Sequence, residues 1–498
     1  MSLEIELKLD LAPGAHDQVR SWGLLADEQG RTKPQLSIYF DTRDGELAAQ
    51  GCSLRVRRTG DGWVQTVKRT LASGGLLERG EWEWEVAGDR PDMAKLEELP
   101  FVLGMSPAKL SRKLRPVLRS EVERTSWQVE HEGSRVQVDL DVGSLQAGEQ
   151  EARFEEVEFE LLDGAAEAVI SLARSVAGDL PARLGVLSKA ERGAFVTEDR
   201  LGHAAKAAPL ALQLDMDVAS ALSAIVHACL KHFRLNEDVV LARRDPAALH
   251  QARVALRRLR SAFTLFKPVI GGDPRYLALR EELRWFTNQL GDARNLDVYL
   301  QRDLPDDERQ VAEEKREQAY DAVVEAMQDR RSRLLVVDLV GWVATGEWRK
   351  TRRAGRRVHS FAGKRLDKLW ATVDPTGRSL ARMDEESRHR LRIEVKRMRY
   401  AVEFFDGLYG ASKAKKRFRS AIEDLQEALG KLNDLATART LVADQTTEWL
   451  QEQSEELEHL DAAETAIRSL GKAGPFWRAE DSPKLKVAKT EPEGAAAG

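Results

Sequence analysis

Ionisable residues alternate with apolar ones from the first turn of the chain: Glu4, Glu6 and Lys8 interleave with Leu3, Ile5, Leu7 and Leu9. In an extended strand residues i, i+2 and i+4 line one face, so these two carboxylates and the amine point the same way. The same parity groups Arg55 with Arg57, Asp139 with Asp141, and Glu156 with Glu158 and Glu160. Apolar partners such as Leu54, Val56, Val138, Leu140, Val157 and Phe159 occupy the other face. An antiparallel sheet with one wet side produces such alternation routinely. Two features point elsewhere. The charged faces carry almost no Ser, Thr or Gln, and like charges follow one another. Three glutamates about 7 Å apart along a strand repel, and raise each other's pKa, unless a cation intervenes. Acidic and basic strands are segregated, so closing the sheet with its charged face inward sets a carboxylate wall opposite a Lys/Arg wall. That lumen suits a polyanion carrying hard divalent cations, Mg²⁺ or Mn²⁺, which take carboxylate and phosphate oxygens.

The elements that must hold these residues fall into two halves. Up to about residue 200 the period is two, with runs at 3–10, 35–41, 53–58, 63–68, 81–86, 125–130, 135–141 and 155–162. Turn signals such as Thr59-Gly60-Asp61-Gly62 and Glu132-Gly133-Ser134 separate several of them. About eight short strands, with helical patterns near 13–23, 92–99 and 164–177, suggest an antiparallel sheet or a closed barrel. After Ala204-Ala205-Lys206-Ala207-Ala208-Pro209 the period becomes helical, over 215–243, 246–268, 274–301, 306–330, 333–345, 352–371, 384–407 and 412–470. The fold class is therefore α+β multidomain, an antiparallel sheet or closed barrel followed by an all-α domain. The boundaries read as 1–200 for the strands, 201–214 for a linker, 215–477 for the helices and 478–498 for a disordered tail poor in large apolar residues.

Composition narrows the possibilities further. The 77 Lys and Arg nearly cancel 82 Asp and Glu, which excludes a uniformly basic nucleic-acid coat. Cys52 and Cys229 are the only cysteines, so neither a disulfide framework nor a cysteine-based zinc site is expected. Neither a signal peptide nor a membrane span is legible, and the expected location is the cytoplasm.

In its first 200 residues the chain resembles the CYTH, or triphosphate tunnel metalloenzyme, superfamily. The resemblance rests on Glu4-Ile5-Glu6-Leu7-Lys8, Tyr39-Phe40-Asp41-Thr42, Leu54-Arg55-Val56-Arg57, Thr66-Val67-Lys68 and Arg79-Gly80-Glu81. It continues through Arg124 before Trp127, Val138-Asp139-Leu140-Asp141, the 156–160 glutamates and Ser188-Lys189-Ala190-Glu191-Arg192-Gly193. It implies an eight-stranded antiparallel β-barrel with flanking helices, forming a tunnel that hydrolyses or rearranges triphosphates with Mg²⁺ or Mn²⁺. Carried across, Glu4, Glu6, Glu156 and Glu158 hold the metal, with Glu160 competing for the last place. Lys8, Arg55, Arg57, Lys68, Arg124 and Lys189 cradle phosphate oxygens. Glu81 and Asp139 orient basic groups, a second metal or the attacking water. Inorganic tripolyphosphate is the favoured substrate over a nucleoside triphosphate; the alternatives are a class IV-type adenylate cyclase and a non-catalytic polyphosphate-granule protein.

The helical half repeats itself. His250, Arg253, Val254, Arg257, Arg258, Leu259 and Arg260 recur 139 residues later as His389, Arg392, Ile393, Lys396, Arg397, Met398 and Arg399. Leu290-Gly291 and Leu429-Gly430 keep the same offset, which predicts two similar bundles related by a pseudo-twofold axis. Spacings of three and four put His250, Arg253, Arg257 and Arg260 in one stripe, and His389, Arg392, Lys396 and Arg399 in another. Such stripes suit phosphate, through Lys and bidentate Arg. Aromatic residues do not interleave with them, which disfavours nucleic acid. This half resembles the CHAD domain, through those motifs together with Arg294-Asn295-Leu296-Asp297 and Asn433-Asp434. That resemblance implies binding of inorganic polyphosphate, with the chain found at polyphosphate granules.

Overall fold

The expected strands close on themselves. A computed structural model describes residues 2–26, 28–60, 62–70, 76–97, 99, 107–373, 380–441 and 449–478. In it β1 (Ser2–Leu11), β2 (Arg31–Asp41), β3 (Cys52–Thr59), β4 (Gly62–Thr70) and β5 (Glu78–Val86) precede three long strands. These are β6 (Arg115–His131), β7 (Ser134–Ala147) and β8 (Gln150–Asp163). The order is β5-β4-β3-β2-β6-β7-β8-β1, and β1 pairs with β5 to complete an eight-stranded antiparallel barrel. A three-residue strand absent from the periodicity, β9 (Ala182–Leu184), adds to the end of β1.

Short helices α1 (His16–Arg20), α2 (Gly23–Ala26), α3 (Met93–Glu97) and α4 (Pro107–Lys113) decorate the barrel. The longer α5 (Ala166–Asp179) and α6 (Lys189–Thr197) lie against it. The apolar strand faces point outward beneath these helices. Leu7, Leu9, Val138, Leu140, Val157 and Phe159 are fully buried, as are Val169, Leu172 and Val176 of α5. Each such side chain contributes about 1.5–3 kcal/mol, which turns the charged faces inward. A second cluster of Phe40, Leu54, Val56 and Val67 packs with Leu96 and Leu110 of α3 and α4.

The helices continue as α7 (Val218–Arg243), α8 (Pro246–Ile270), α9 (Pro274–Gln289), α10 (Gly291–Tyr299), α11 (Asp306–Gln328) and α12 (Arg330–Thr345). Then follow α13 (Val358–Val373), α14 (Glu385–Phe404), α15 (Lys413–Leu441) and α16 (Trp449–Ala473). The helix expected over 274–301 is two, because Leu290 leaves helical geometry at φ −88° and ψ 6°. The helix expected over 412–470 is also two, and 442–448 between them lies outside the described residues, as does the expected tail from 479 onward.

The repeat is real at the level of helix starts. Asp245 and Asp384, 139 residues apart, cap α8 and α14 by accepting from the N–H of Ala248 and Ser387, each at 2.8 Å. α9 and α15 begin at the same offset. Two compact units result. One holds the described residues up to Pro209 with Met216–Arg356, so the first helical repeat packs with the barrel; the other holds Leu210–Asp215 and the described residues from Arg357 on. Among the described residues no helix is long and apolar enough to cross a membrane.

Candidate active site

Strand register stacks the charged residues in layers around the bore. Glu6 stands beside Glu160 and Gln137; Lys8 beside Glu158, Asp139 and Ser126; and Asp10 beside Glu156, Asp141 and Arg124. On the opposite wall Glu4 pairs with Arg79, Lys68 with Glu81, Thr66 with Glu83, and Tyr39 with Arg55. They enclose a cavity of about 290 Å³ lined by seven cations (Lys8, Arg55, Arg57, Lys68, Arg79, Arg124, Lys189) and seven acids (Glu4, Glu6, Glu81, Glu83, Asp139, Glu158, Glu160). The barrel residues given a role from the sequence all line it except Glu156, and Asp141, grouped with Asp139 by parity, is also off the lining.

The two charge types are interleaved rather than confined to opposite walls. Lys68 Nζ donates to both Glu4 oxygens at 2.6 and 2.8 Å and lies 3.5 Å from Glu6 and 3.4 Å from Glu81. Lys8 Nζ lies 3.1 Å from Glu158, 3.6 Å from Glu156 and 3.8 Å from Glu6. Arg124 forks onto both Asp141 oxygens at 2.6 Å each, and reaches Asp139 at 2.6 Å and Glu158 at 2.5 Å. Lys189 meets Asp141 at 2.7 Å, Glu158 at 3.0 Å and also Glu156. Glu156 is fully buried behind the wall. Arg55 and Arg57 meet few acids: the nearest carboxylate to Arg55 is Glu83 at 4.0 Å, and Arg57 donates to Ser37 Oγ at 3.1 Å. Burial and the charges of Arg55 and Arg124 bring Arg57 down to about 10.

The acids separate into two groups. Burial pushes Glu158 up, but Lys189, Lys8, Arg124 and Lys68 outweigh it and hold that carboxyl well below the usual range. Asp141 is likewise lowered, burial being overcome by Lys189 and Arg124. Asp141, Glu156 and Glu158 offer oxygens within 4.8 Å of one another, yet Lys189 and Arg124 already fill that space. At Glu160 and Glu4 the balance reverses. Burial raises Glu160 to about 7, with Glu6, Glu81 and Asp139 adding to it against Lys68. Burial likewise lifts Glu4 to about 8 despite Lys68. Burial and Glu158 also act to raise Glu6, but Lys68, Lys8 and Arg79 hold it near 2. Glu4 and Glu160 thus carry carboxyls that ionise fully only beside a further cation, whereas the carboxylates whose oxygens lie close enough together to share an ion are Asp141, Glu156 and Glu158.

Reading motifs strand by strand assigned no role to Arg79, Glu83 or Tyr39, which also line the bore. Parity carried the signal for the first two, since 79, 81 and 83 share a face. Tyr39 required the register that sets it beside Arg55.

In the helical repeats, the basic stripe of α8 stands opposite buried Leu256, Leu259 and Phe263. Burial, then Arg294, Arg257 and Arg253, lower His250. Burial, Arg257 and Arg294 bring Arg253 down to about 10, and its Nη1 is buried without a hydrogen-bond partner. Arg260 is lowered by burial, Arg284 and Arg257. Asp297, the acid of the first motif, is not part of the stripe's surface: it is buried, accepting from Arg316 at 2.8 Å and Tyr320 at 3.0 Å. In the second unit His389 is exposed and meets Asn433 Oδ1 at 2.8 Å. Arg392, Lys396 and Arg399 are half-buried on α14, with Arg399 5.0 Å from the Tyr400 ring.

The CYTH domain family matches residues 2–194 and the CHAD domain family matches 224–443. The chain is a CYTH domain followed by a CHAD domain. An inorganic triphosphatase of Haemophilus influenzae is 29% identical over 198 residues, which is 39% of this chain. The CYTH–CHAD chain thus spans about half of that relative, 54% of its length. Among solved structures, the CHAD domain of the plant Ricinus communis is 31% identical, covering 53% of this chain and 96% of that one at a TM-score of 0.45. A Hippeastrum protein, described as a putative adenylyl cyclase with a dominant triphosphatase activity, is 22% identical. It covers 40% of this chain and 97% of that one at a TM-score of 0.30. At such scores the architecture of the CYTH–CHAD chain rests on its own strand order and register.

Proposed function

We propose that the barrel hydrolyses a triphosphate, inorganic tripolyphosphate being the favoured substrate, and that the helical repeats bind inorganic polyphosphate. The lining of the bore carries the first half of this reading. Seven cations converge on a space of about 290 Å³, in which Tyr39 is the one aromatic and Ala190 the one apolar residue among those described. That wall suits phosphate oxygens and offers a nucleobase a single aromatic ring, Tyr39, to stack on.

Lys8, Arg55, Arg57, Lys68, Arg124 and Lys189 would take the phosphate oxygens. Glu81 and Asp139 orient Lys68 and Arg124 by direct contact. Glu4, Glu6 and Glu160, with Glu158 beside them, would hold Mg²⁺ or Mn²⁺. Glu156, out of reach of the bore, holds Lys8 and Lys189 instead. When bound, the metal neutralises phosphate charge and eases deprotonation of a water. Alignment and charge neutralisation supply most of phosphoryl-transfer catalysis, and this chain's side chains are arranged for both.

In the helical repeats, the crowded stripe of His250, Arg253, Arg257 and Arg260 supports anion binding, because Asp292 and Glu281 offset its mutual repulsion only in part and a negative ligand would relieve it further. His389, Arg392, Lys396 and Arg399 are its equivalents. On this reading the protein acts in the cytoplasm beside polyphosphate granules.

The test is phosphate release from tripolyphosphate, ATP and thiamine triphosphate with Mg²⁺ or Mn²⁺, with cyclic AMP measured in parallel. Fastest release from tripolyphosphate, stopped by chelator, is expected. Cyclic AMP as the main product from ATP overturns the hydrolase assignment, and no cleavage of any triphosphate leaves a binding protein with an inert tunnel.

A further inference from the structure

Both deeply set lysines of the tunnel are braced from outside the barrel by one helix of the first repeat. Lys189 is the first residue of α6, whose capping box joins Ser188 to Glu191: Ser188 N and Oγ each donate to Glu191 Oε2 at 2.9 Å. The other oxygen of Glu191 accepts from Lys231 Nζ of α7 at 2.5 Å.

Lys8 is braced through β9. Gly185 N donates to the Lys8 carbonyl at 2.9 Å, and a Cβ at 185 would lie 2.5 Å from Lys8 Cγ, so this backbone lies flat on the lysine stem. The adjoining Leu184 carbonyl accepts from Arg234 Nε of α7 at 2.8 Å. Arg234 is 1% exposed and also engages Glu237, Asp238 at 3.0 Å and Asp10 at 3.8 Å. From Asp10 the chain of charges returns to the tunnel. Arg192 donates to Asp10 at 2.7 Å and lies 4.0 Å from Glu156, which contacts Lys8 and Lys189.

The Arg234 pairs are buried and the Lys231–Glu191 pair is partly exposed, and ion pairs of either kind are a weak source of net stability. Their geometry serves another end: each α7 residue terminates on backbone or a cap next to a tunnel lysine. We propose that Lys231 and Arg234, which lie within the CHAD match, are positioning residues for the CYTH tunnel, setting Lys189 and Lys8 for the substrate's phosphates. The proposal rests on the tunnel being the triphosphate site. The first helical repeat is then a working part of the catalytic apparatus rather than an appended binding module.

The experiment uses the full chain with Lys231→Met, Lys231→Arg, Arg234→Met and Arg234→Lys. Lys231→Met and Arg234→Met are expected to raise KM for tripolyphosphate about tenfold with kcat changed less than about threefold. Lys231→Arg, which keeps the charge on Glu191, is expected to restore KM. Amide hydrogen exchange over 184–192 should quicken in both Met variants. Unchanged KM in folded Lys231→Met, or a loss that Lys231→Arg shares in full, overturns the proposal. Lys231 is partly exposed, so that variant remains informative should Arg234→Met fail to fold. If the parent chain cleaves no triphosphate the functional reading fails. Hydrogen exchange still decides the bracing in that case, and unaltered exchange over 184–192 in Lys231→Met overturns it.

Discussion

Gly185→Ala is a one-methyl change that should disable the site without touching a charged residue. The added Cβ would lie 2.5 Å from Lys8 Cγ, 2.9 Å from Lys8 Cδ and 3.3 Å from Asp10 Oδ1. Carbon atoms rest about 3.5–4.0 Å apart, so the lysine stem must withdraw by about 1 Å. Lys8 is 6% exposed, and the space it can withdraw into is the bore that it lines. Its ammonium, 3.1 Å from Glu158, is therefore dragged off its carboxylate. Misplacement of a catalytic group by about 1 Å costs about a hundredfold in rate, equivalent to about 2.7 kcal/mol of barrier. Overpacking should also lower stability by about 1–3 kcal/mol. The assay is steady-state phosphate release from tripolyphosphate, with thermal unfolding recorded on the same samples. Gly88→Ala, where the methyl meets open space, is the control. A folded Gly185→Ala protein with kcat/KM within about threefold of the parent would refute the reasoning that Gly185 seats Lys8.

Three further outcomes follow from the same geometry. Glu6→Ala or Lys8→Ala should abolish turnover while circular dichroism remains native, and near-normal activity of purified Glu6→Ala would dismiss the metal assignment. Glu160 and Glu4, raised to about 7 and about 8, are protonated below those values and free to take a cation above them. Mg²⁺ affinity should therefore rise with pH between about 6 and 9 and level off beyond, with protons released on binding. Calorimetry in buffers of different ionisation enthalpy reads this, and pH-independent affinity would contradict it. Finally, polyphosphate binding by the full chain should weaken steeply between about 0.1 and 1 M salt, as the screening length falls from about 10 to 3 Å. Arg253→Ala with Arg257→Ala should weaken it at low salt, and binding indifferent to both perturbations would reject the stripe's role.

Much of the barrel was legible because alternation is a property of the strand itself. Glu4, Glu6 and Lys8 share a face whatever lies beside them, and so do Arg55 and Arg57 or the 156–160 glutamates. The helical repeat was equally plain, and its 139-residue offset reappears in the paired caps of Asp245 and Asp384. Parity does not say how far along the bore a residue sits. Glu156 and Glu160 are equivalent in sequence; register places Glu156 beside Asp10, behind the wall, and Glu160 beside Glu6 on the lining. Lys189 was named only through resemblance, because it lies on a helix that the two-residue period does not mark.

The amino-acid order by itself determined which side chains share a strand face or helix stripe, since backbone geometry is set within a few residues. Only the closed barrel decided which carboxylates must share a cation, because pairings such as Lys8 with Glu158 join residues 150 apart. Burial then amplifies each charge on its neighbours. The brace from α7 belongs to the same class: Lys231 and Arg234 look like ordinary polar helix positions until folding sets them against Glu191 and the Leu184 carbonyl.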